Sequence, residues 1–297
     1  DAPLEGLPAA DTFKTEPKKT KLRLVSIGQS AGVSTSQFGT FFAGGVSFGF
    51  SDVLGEHIVG ASIGLNGGIR DLGGSLSYLN RTSRWNWGTY FNRTPLTSGS
   101  AAEGFAVRNG QTVFVQQELI FRQTVSEVGA VTAYPLSRVT RAEFSGGFQN
   151  IRFEQELREA TFDPFTGQQI SSDVQHSTVA DSLNLFSATG ALVRDTSTAG
   201  ATGPVLGSRG RLEISQTGGD LRFTTVTADY RHYVMPVQPV TFAGRLLHIA
   251  RYGPGSEDNR LVPMFLGYPT LVRGYEADSI SASECSPTID GSCPEFD

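Results

Sequence analysis

The sequence predicts an all-β fold built from antiparallel strands. Apolar and small polar residues alternate along most of the chain after about residue 40, which is the period of a strand with one apolar face. Turn-forming residues such as Asn66-Gly67-Gly68 separate these segments. The longest uncharged stretch, residues 24–51, is rich in Gly, Ser and Thr and does not resemble the apolar run of about 18 residues of a transmembrane helix. The chain is therefore either a soluble β protein or a β-barrel that crosses a membrane.

Composition excludes two other classes of protein. With 297 residues, 38% of them hydrophobic and 18% charged, the chain is too apolar to be disordered. Its net charge of -5 offers no basic surface for nucleic acid, so no nucleic-acid partner is expected. All lysines lie within residues 14–21, and later cations are arginine or histidine. Arginine suits charge pairs inside a lumen because it stays charged and makes bidentate contacts.

The first 38 residues differ from the rest of the chain. They hold three prolines (Pro3, Pro8 and Pro17), the lysines and several acidic residues, without a long periodic pattern. We interpret residues 1–38 as a lead-in or linker and expect the sheet to occupy residues 39–297. An export signal is expected to have been removed or to lie upstream.

The first predicted strand is Phe41–Asp52, where Phe42, Val46, Phe48 and Phe50 share one face and Ser47, Gly49 and Ser51 the other. Ten further strands are predicted near residues 59–66, 72–78, 85–92, 112–121, 127–134, 141–153, 183–194, 209–216, 222–234 and 240–252. In the ninth strand, Arg209, Arg211 and Glu213 lie opposite Leu212 and Ile214. In the tenth, Asp229 and Arg231 lie away from Val226, Ala228 and Tyr230. Such charged faces are costly toward lipid and favourable toward a water-filled lumen.

Connections and aromatic residues add to this pattern. Residues 134–137 and 235–239 form short connections, whereas residues 154–182 form a long polar one. Long loops on one side and short turns on the other are typical of outer-membrane barrels, although residues 93–110 and 195–208 are long for the short side. The cluster of Trp85, Trp87, Tyr90 and Phe91 indicates either the core of a soluble β domain or an aromatic girdle at a lipid interface, which we favour.

One segment resembles a known family. Leu266 to Glu276 contains Val272-Arg273-Gly274-Tyr275, which is similar to the VRG(F/Y) motif of the BamA superfamily of outer-membrane barrels (bacterial surface antigen type). In that family the motif lies on an extracellular loop after the eleventh strand and folds back into the barrel. The resemblance implies a barrel of sixteen strands, of which this chain holds about eleven, with residues 1–38 in the periplasm and the chain ending inside this loop. No periplasmic POTRA repeat is recognisable before the sheet.

The resemblance also implies a function. Members insert or translocate proteins at the bacterial outer membrane, with lipid, client proteins and other envelope proteins as partners. Such work requires no enzyme activity, no cofactor, no metal and no catalytic residue. Arg273 is expected to pair with acidic groups on the inner wall, and Asp229 and Glu213 are candidate partners within this chain.

Other interpretations remain open. A passive porin or solute channel would share the alternation without needing the Arg273 loop. An outer-membrane hydrolase would need a nucleophile, and Gly28-Gln29-Ser30-Ala31-Gly32 matches G-x-S-x-G, but the residues that follow do not favour the helix of a nucleophile elbow. Cys285 and Cys293 predict a local disulfide in an oxidising compartment, or else two free thiols.

Overall fold

The computed structural model describes residues 20–36, 39–66, 69–108, 110–200, 203–261 and 264. These residues confirm the all-β, antiparallel prediction, since they form one sheet in which each long strand pairs with its neighbours along the chain. In the described residues the sheet is open, with β1 and β12 as its edges. No helix in this part of the chain is long and apolar enough to cross a bilayer. The strands are β1 Arg23–Ser36, β2 Gly39–Ser51, β3 His57–Asn66, β4 Leu72–Asn80, β5 Asn86–Arg108, β6 Gln111–Pro135, β7 Thr140–Phe162, β8 Gln169–Asp195, β9 Thr198–Ala199, β10 Pro204–Gly219, β11 Phe223–Val237 and β12 Val240–Tyr252.

The sheet begins earlier in the chain than the sequence predicts. Arg23–Ser36 forms β1, which pairs with β2, although we assigned it to the lead-in. Ser30 lies within this strand, directly opposite Gly45, and a second strand starts at Gly39. The strand-to-helix elbow of a hydrolase is therefore not formed at this serine. Sequence patterning missed β1 because its apolar residues are interrupted by Gly and Ser.

The predicted list of eleven strands is also wrong in its middle. The two strands predicted at 112–121 and 127–134 are one strand, β6. Residues 93–108, 154–162 and 169–182, predicted as loops, belong to β5, β7 and β8. These extensions carry polar residues on both faces, so they lack an apolar alternation. Cross-strand pairs such as Arg158 with Glu118, at 3.3 Å, and Gln117 with Glu159, at 2.7 Å, hold them together instead.

The two ends of the sheet differ. At the end where β1 begins, here called the proximal end, the chain reverses at residues 52–56, 81–85, 136–139 and 238–239, and between β8 and β10. At the opposite, distal end, the hairpins β5–β6 and β7–β8 extend far beyond β3 and β4. The distal turn after β7 is fixed by Asp163, whose carboxylate accepts the backbone N–H groups of Phe165 and Thr166. These bonds favour the ionised form and hold the pKa of Asp163 below its ordinary value.

Strand register defines two faces, because directly opposed residues of antiparallel strands point to the same side. The face that carries Val46 and Phe48 is called the apolar face, and the face that carries Ser47 is called the polar face. Val46 opposes Ile63, and Phe48 opposes Ala61, so the apolar face continues onto β3. Hydroxyl pairs such as Ser62 with Ser75, at 2.7 Å, follow one another on the polar face. Following the register from strand to strand, exposed apolar-face residues are Ile27, Val46, Phe48, Ile63, Leu72, Leu76, Trp87, Phe91, Val128, Phe144, Phe186, Leu192, Leu212, Ile214, Tyr230, Val234, Phe242 and Leu246.

The predicted aromatic cluster is divided between these faces. Trp87 and Phe91 lie on the apolar face, and the ring of Trp85 packs against Tyr134, with centroids 4.8 Å apart. Tyr90 lies on the polar face, where its hydroxyl donates to Glu127 Oε1 at 2.6 Å. Including Tyr90 in a single girdle was therefore wrong, since its neighbours in sequence point the other way.

Tyr90 covers a glycine on the adjacent strand. It directly opposes Gly129, and a Cβ at Gly129 would lie 2.7 Å from the tyrosine ring and 2.9 Å from the carbonyl oxygen of Gly146. We predict that Gly129→Ala lowers the free energy of unfolding by about 1–3 kcal/mol, because backbone as well as side chain must move. Urea denaturation of the refolded chain measures this loss of stability.

Gly104→Ala is the matched control. Gly104 lies in β5, and nothing lies within 4 Å of the position its Cβ would take. Its replacement by Ala should leave stability unchanged or raise it by about 0.5–1 kcal/mol. Equal effects at the two glycines would contradict the packing of Tyr90.

Candidate functional site: a charged network on the polar face

Charged residues gather on the polar face of β7, β8, β10, β11 and β12, toward the proximal end. Arg211 directly opposes Asp229, and Glu213 opposes Thr227, so both predicted candidate carboxylates, Asp229 and Glu213, lie on one face. Leu212 and Ile214 are exposed on the other face. The predicted separation of charged and apolar residues in β10 and β11 is confirmed.

One part of this network is centred on Arg211. Its Nη1 donates to Glu143 Oε2 at 2.6 Å and its Nε to Glu213 Oε2 at 2.8 Å. Glu143 also accepts from Arg141 Nε at 2.6 Å. The contact from β10 to β7 spans the intervening strand β8, where the buried Ala191 opposes both Glu143 and Glu213. A small residue at this position leaves the path between arginine and glutamate clear.

The other part is centred on Asp229. Arg231 Nη2 donates to its Oδ2 at 2.7 Å. Arg245, on β12, donates to the same carboxylate through Nε at 3.1 Å and Nη2 at 3.0 Å, which is a bidentate contact. Asp229 therefore connects β11 with the edge strand β12.

Three arginines lie side by side next to Asp229. Arg209 opposes Arg231, and Arg231 opposes Arg245, so like charges occupy neighbouring positions on three adjacent strands. Directly opposed like charges destabilise a sheet unless carboxylates offset them. Asp229 does so for two of them, and Asp195 Oδ2 lies 3.5 Å from Arg209 Nε. The carboxylates therefore hold an arginine row in place.

The sequence located only part of this network. It singled out Asp229 and Glu213 but not Glu143 or Arg245, which lie on other strands and enter the network only through register. The spacing of Arg141 and Glu143, two residues apart on one strand, was the available signal. Both candidate carboxylates already accept from arginines of the sheet, so a contact with Arg273 would add to existing pairs. The motif Val272, Arg273, Gly274 and Tyr275 and the cysteines Cys285 and Cys293 lie outside the described residues.

We predict that Asp229→Asn lowers the free energy of unfolding by about 1–2 kcal/mol, because Arg231 and Arg245 then repel each other without a shared carboxylate. The loss should grow at low ionic strength, since salt screens the repulsion. Chemical denaturation at low and high salt measures both effects. Glu103→Gln, at an exposed position of β5, is the control and should change stability little; an equal loss there would contradict the role of Asp229.

No protein-family model, curated protein or solved structure matches the chain.

Proposed function

We propose that this chain forms part of a transmembrane β-barrel in a bacterial outer membrane, with its apolar face toward lipid and its polar face toward a lumen. The observation that carries the proposal is that each of the eleven long strands exposes at least one large apolar side chain on the same face. The polar face of these strands exposes far fewer large apolar side chains, Val131 and Ile249 among them.

The extent of the apolar face argues against contact with water. Eleven strands spaced about 4.8 Å apart, with an apolar zone about 20 Å high, cover roughly 1,000 Å². The largest apolar patch on a soluble monomer is typically about 300–600 Å². A face of this size requires lipid or another apolar layer over it, and in the described residues the sheet has no second layer.

The height of the apolar zone supports lipid as that layer. In β7, apolar and small residues occupy this face between Thr140 and Asn150, about ten residues, and a tilted transmembrane strand needs about 9–11. The zone ends sharply at the distal side. Phe91, Val128, Phe148 and Phe186 form one row across β5–β8, and the next row on the same face is Arg93, Ser126, Asn150 and Asn184.

The difference between the two ends supports an orientation. Short turns at the proximal end and long hairpins at the distal end correspond to the periplasmic and extracellular sides of an outer-membrane barrel. Strand β12 runs toward the distal end and ends there at Tyr252. The Arg273 motif would then follow from the extracellular side, as it does in the BamA superfamily.

On this basis we assign the chain a role in the insertion or translocation of proteins, which the resemblance of Val272 to Tyr275 implies. The open edges at β1 and β12 also support this role. Unpaired backbone groups are costly in lipid, so the two edges must pair with further strands or with a client protein. Gly28 and Gly32 lie in edge strand β1, and glycine weakens a strand. The second candidate function is that of a passive channel, whose lumen the charged polar face would line equally well.

Cysteine labelling in intact outer membranes tests the orientation of the faces. We predict that Phe48→Cys reacts with lipophilic maleimides and Ser47→Cys with small aqueous ones, because the two residues lie on opposite faces of β2. The reverse labelling pattern would contradict the barrel. Both variants share one strand and one depth, so each serves as the control for the other.

Substitutions at Arg273 separate the translocase from the channel. In the translocase, Arg273→Ala should lower the stability of the barrel, measured by heat-modifiable gel mobility, and should lower the assembly of outer-membrane clients. Arg273→Lys should restore little of either, because lysine lacks the planar guanidinium group. Normal client assembly and unchanged conductance in Arg273→Ala would favour the passive channel.

A further inference from the structure

A polar cavity of about 440 Å³ lies beyond the distal limit of the apolar zone, among the extended parts of β5–β8. Its position differs from that of the charged network, which lies toward the proximal end of the polar face. Its lining includes Arg70, Arg93, Arg122, Arg152, Glu154 and His176.

Two of the four arginines form the framework of the cavity. Arg122 is only 5% exposed; its Nε donates to Asp71 Oδ1 at 2.6 Å, and its Nη1 lies 3.6 Å from Glu156 Oε2. Arg70 Nη1 lies 3.0 Å from His176 Nδ1 and 4.0 Å from Glu156 Oε2. The charge of Arg122 is therefore offset inside the protein, whereas Arg70, whose side chain is 54% exposed, lies at the rim and is held by His176 and Glu156.

Arg93 and Arg152 are different. Arg93 Nε donates to the carbonyl oxygen of Leu72, and Arg152 Nε donates to Asn150 Oδ1, each at 3.2 Å. Within the described ranges neither guanidinium makes an ion pair, and their terminal nitrogens have no acceptor. A guanidinium has five N–H donors, so each of these side chains can still bind an oxyanion through a two-pronged contact.

The register brings these two arginines to the same place. Arg93 opposes Ser126 on one side of β6, and Arg152 opposes Thr124 on its other side. Arg93 and Arg152 are separated by two strand spacings and are offset by two residues along the strands. Their backbones are therefore about 10–12 Å apart. Two arginine side chains extended over Thr124 from such positions can meet on one tetrahedral anion.

The carboxylates limit the choice of ligand. Asp71 and Glu156 belong to the framework, and Glu154 adds one negative charge to the lining itself. The four arginines and three carboxylates leave a small positive balance, so the site does not attract anions by bulk charge. Selectivity for phosphate must come from the free terminal nitrogens of Arg93 and Arg152, whose planar arrangement matches the geometry of a phosphate group.

We propose that this cavity binds a phosphate ester, held by Arg93 and Arg152, and that Glu154 limits its affinity. The site begins one row beyond Phe91 and Phe148, where a bilayer surface would lie. A phosphorylated lipid headgroup and a soluble phosphate present the same chemistry there.

Binding to the full chain in neutral maltoside micelles tests the proposal, with inorganic phosphate in one arm and mixed micelles containing phosphatidic acid or phosphatidylcholine in the other. Arg93→Gln and Arg152→Gln should each weaken binding about tenfold, the effect of losing one charge-assisted contact. Glu154→Gln should tighten it, since a repulsive charge is removed. Arg138→Gln, in an exposed proximal turn, should leave it unchanged.

The two arms distinguish the source of the phosphate. Preference for phosphatidic acid with weak binding of inorganic phosphate identifies a headgroup site, and comparable binding of both probes identifies a soluble ligand. Circular dichroism and heat-modifiable mobility confirm that each variant is folded. Absence of binding for both probes, or equal losses in Arg93→Gln, Arg152→Gln and Arg138→Gln, would overturn the proposal.

Discussion

The structure depends on one constraint: a broad sheet exposes apolar side chains on one face and has no second layer over it in the described residues. Phe48, Phe144, Phe186 and Phe242 are on different strands but point to the same side. Covering one such side chain with an apolar medium is worth about 1.5–3 kcal/mol. In the proposed orientation, lipid supplies that cover for the whole face.

The polar face follows from the same constraint. In the proposed orientation an apolar medium covers one face, so charged groups lie on the other face and offset one another there. Arg211 with Glu143 and Arg245 with Asp229 link strands that are not always adjacent, so the charges also fix the positions of neighbouring strands. Beyond the apolar zone the apolar face itself becomes polar, as Arg93 and Arg152 show, and hydrogen-bonded pairs replace apolar burial.

The sequence was most informative where one face of a strand is apolar and the other polar. The alternation in β2, β3, β10 and β11 predicted those strands and their faces because period two is visible only when the two faces differ. It failed for β1, whose small residues give little contrast, and for the distal extensions, whose two faces are alike. The partners of Asp229 were only half predicted: Arg231 shares its strand, whereas Arg245 depends on register.

Fluorescence of the native chain tests the central claim most directly. The only two tryptophans, Trp85 and Trp87, are exposed at the proximal side of the apolar face. After reconstitution into bilayers, lipids brominated in their acyl chains should quench this fluorescence strongly, and aqueous iodide should quench it weakly. Strong quenching by iodide with no effect of brominated lipid would show that the apolar face is not in contact with the membrane.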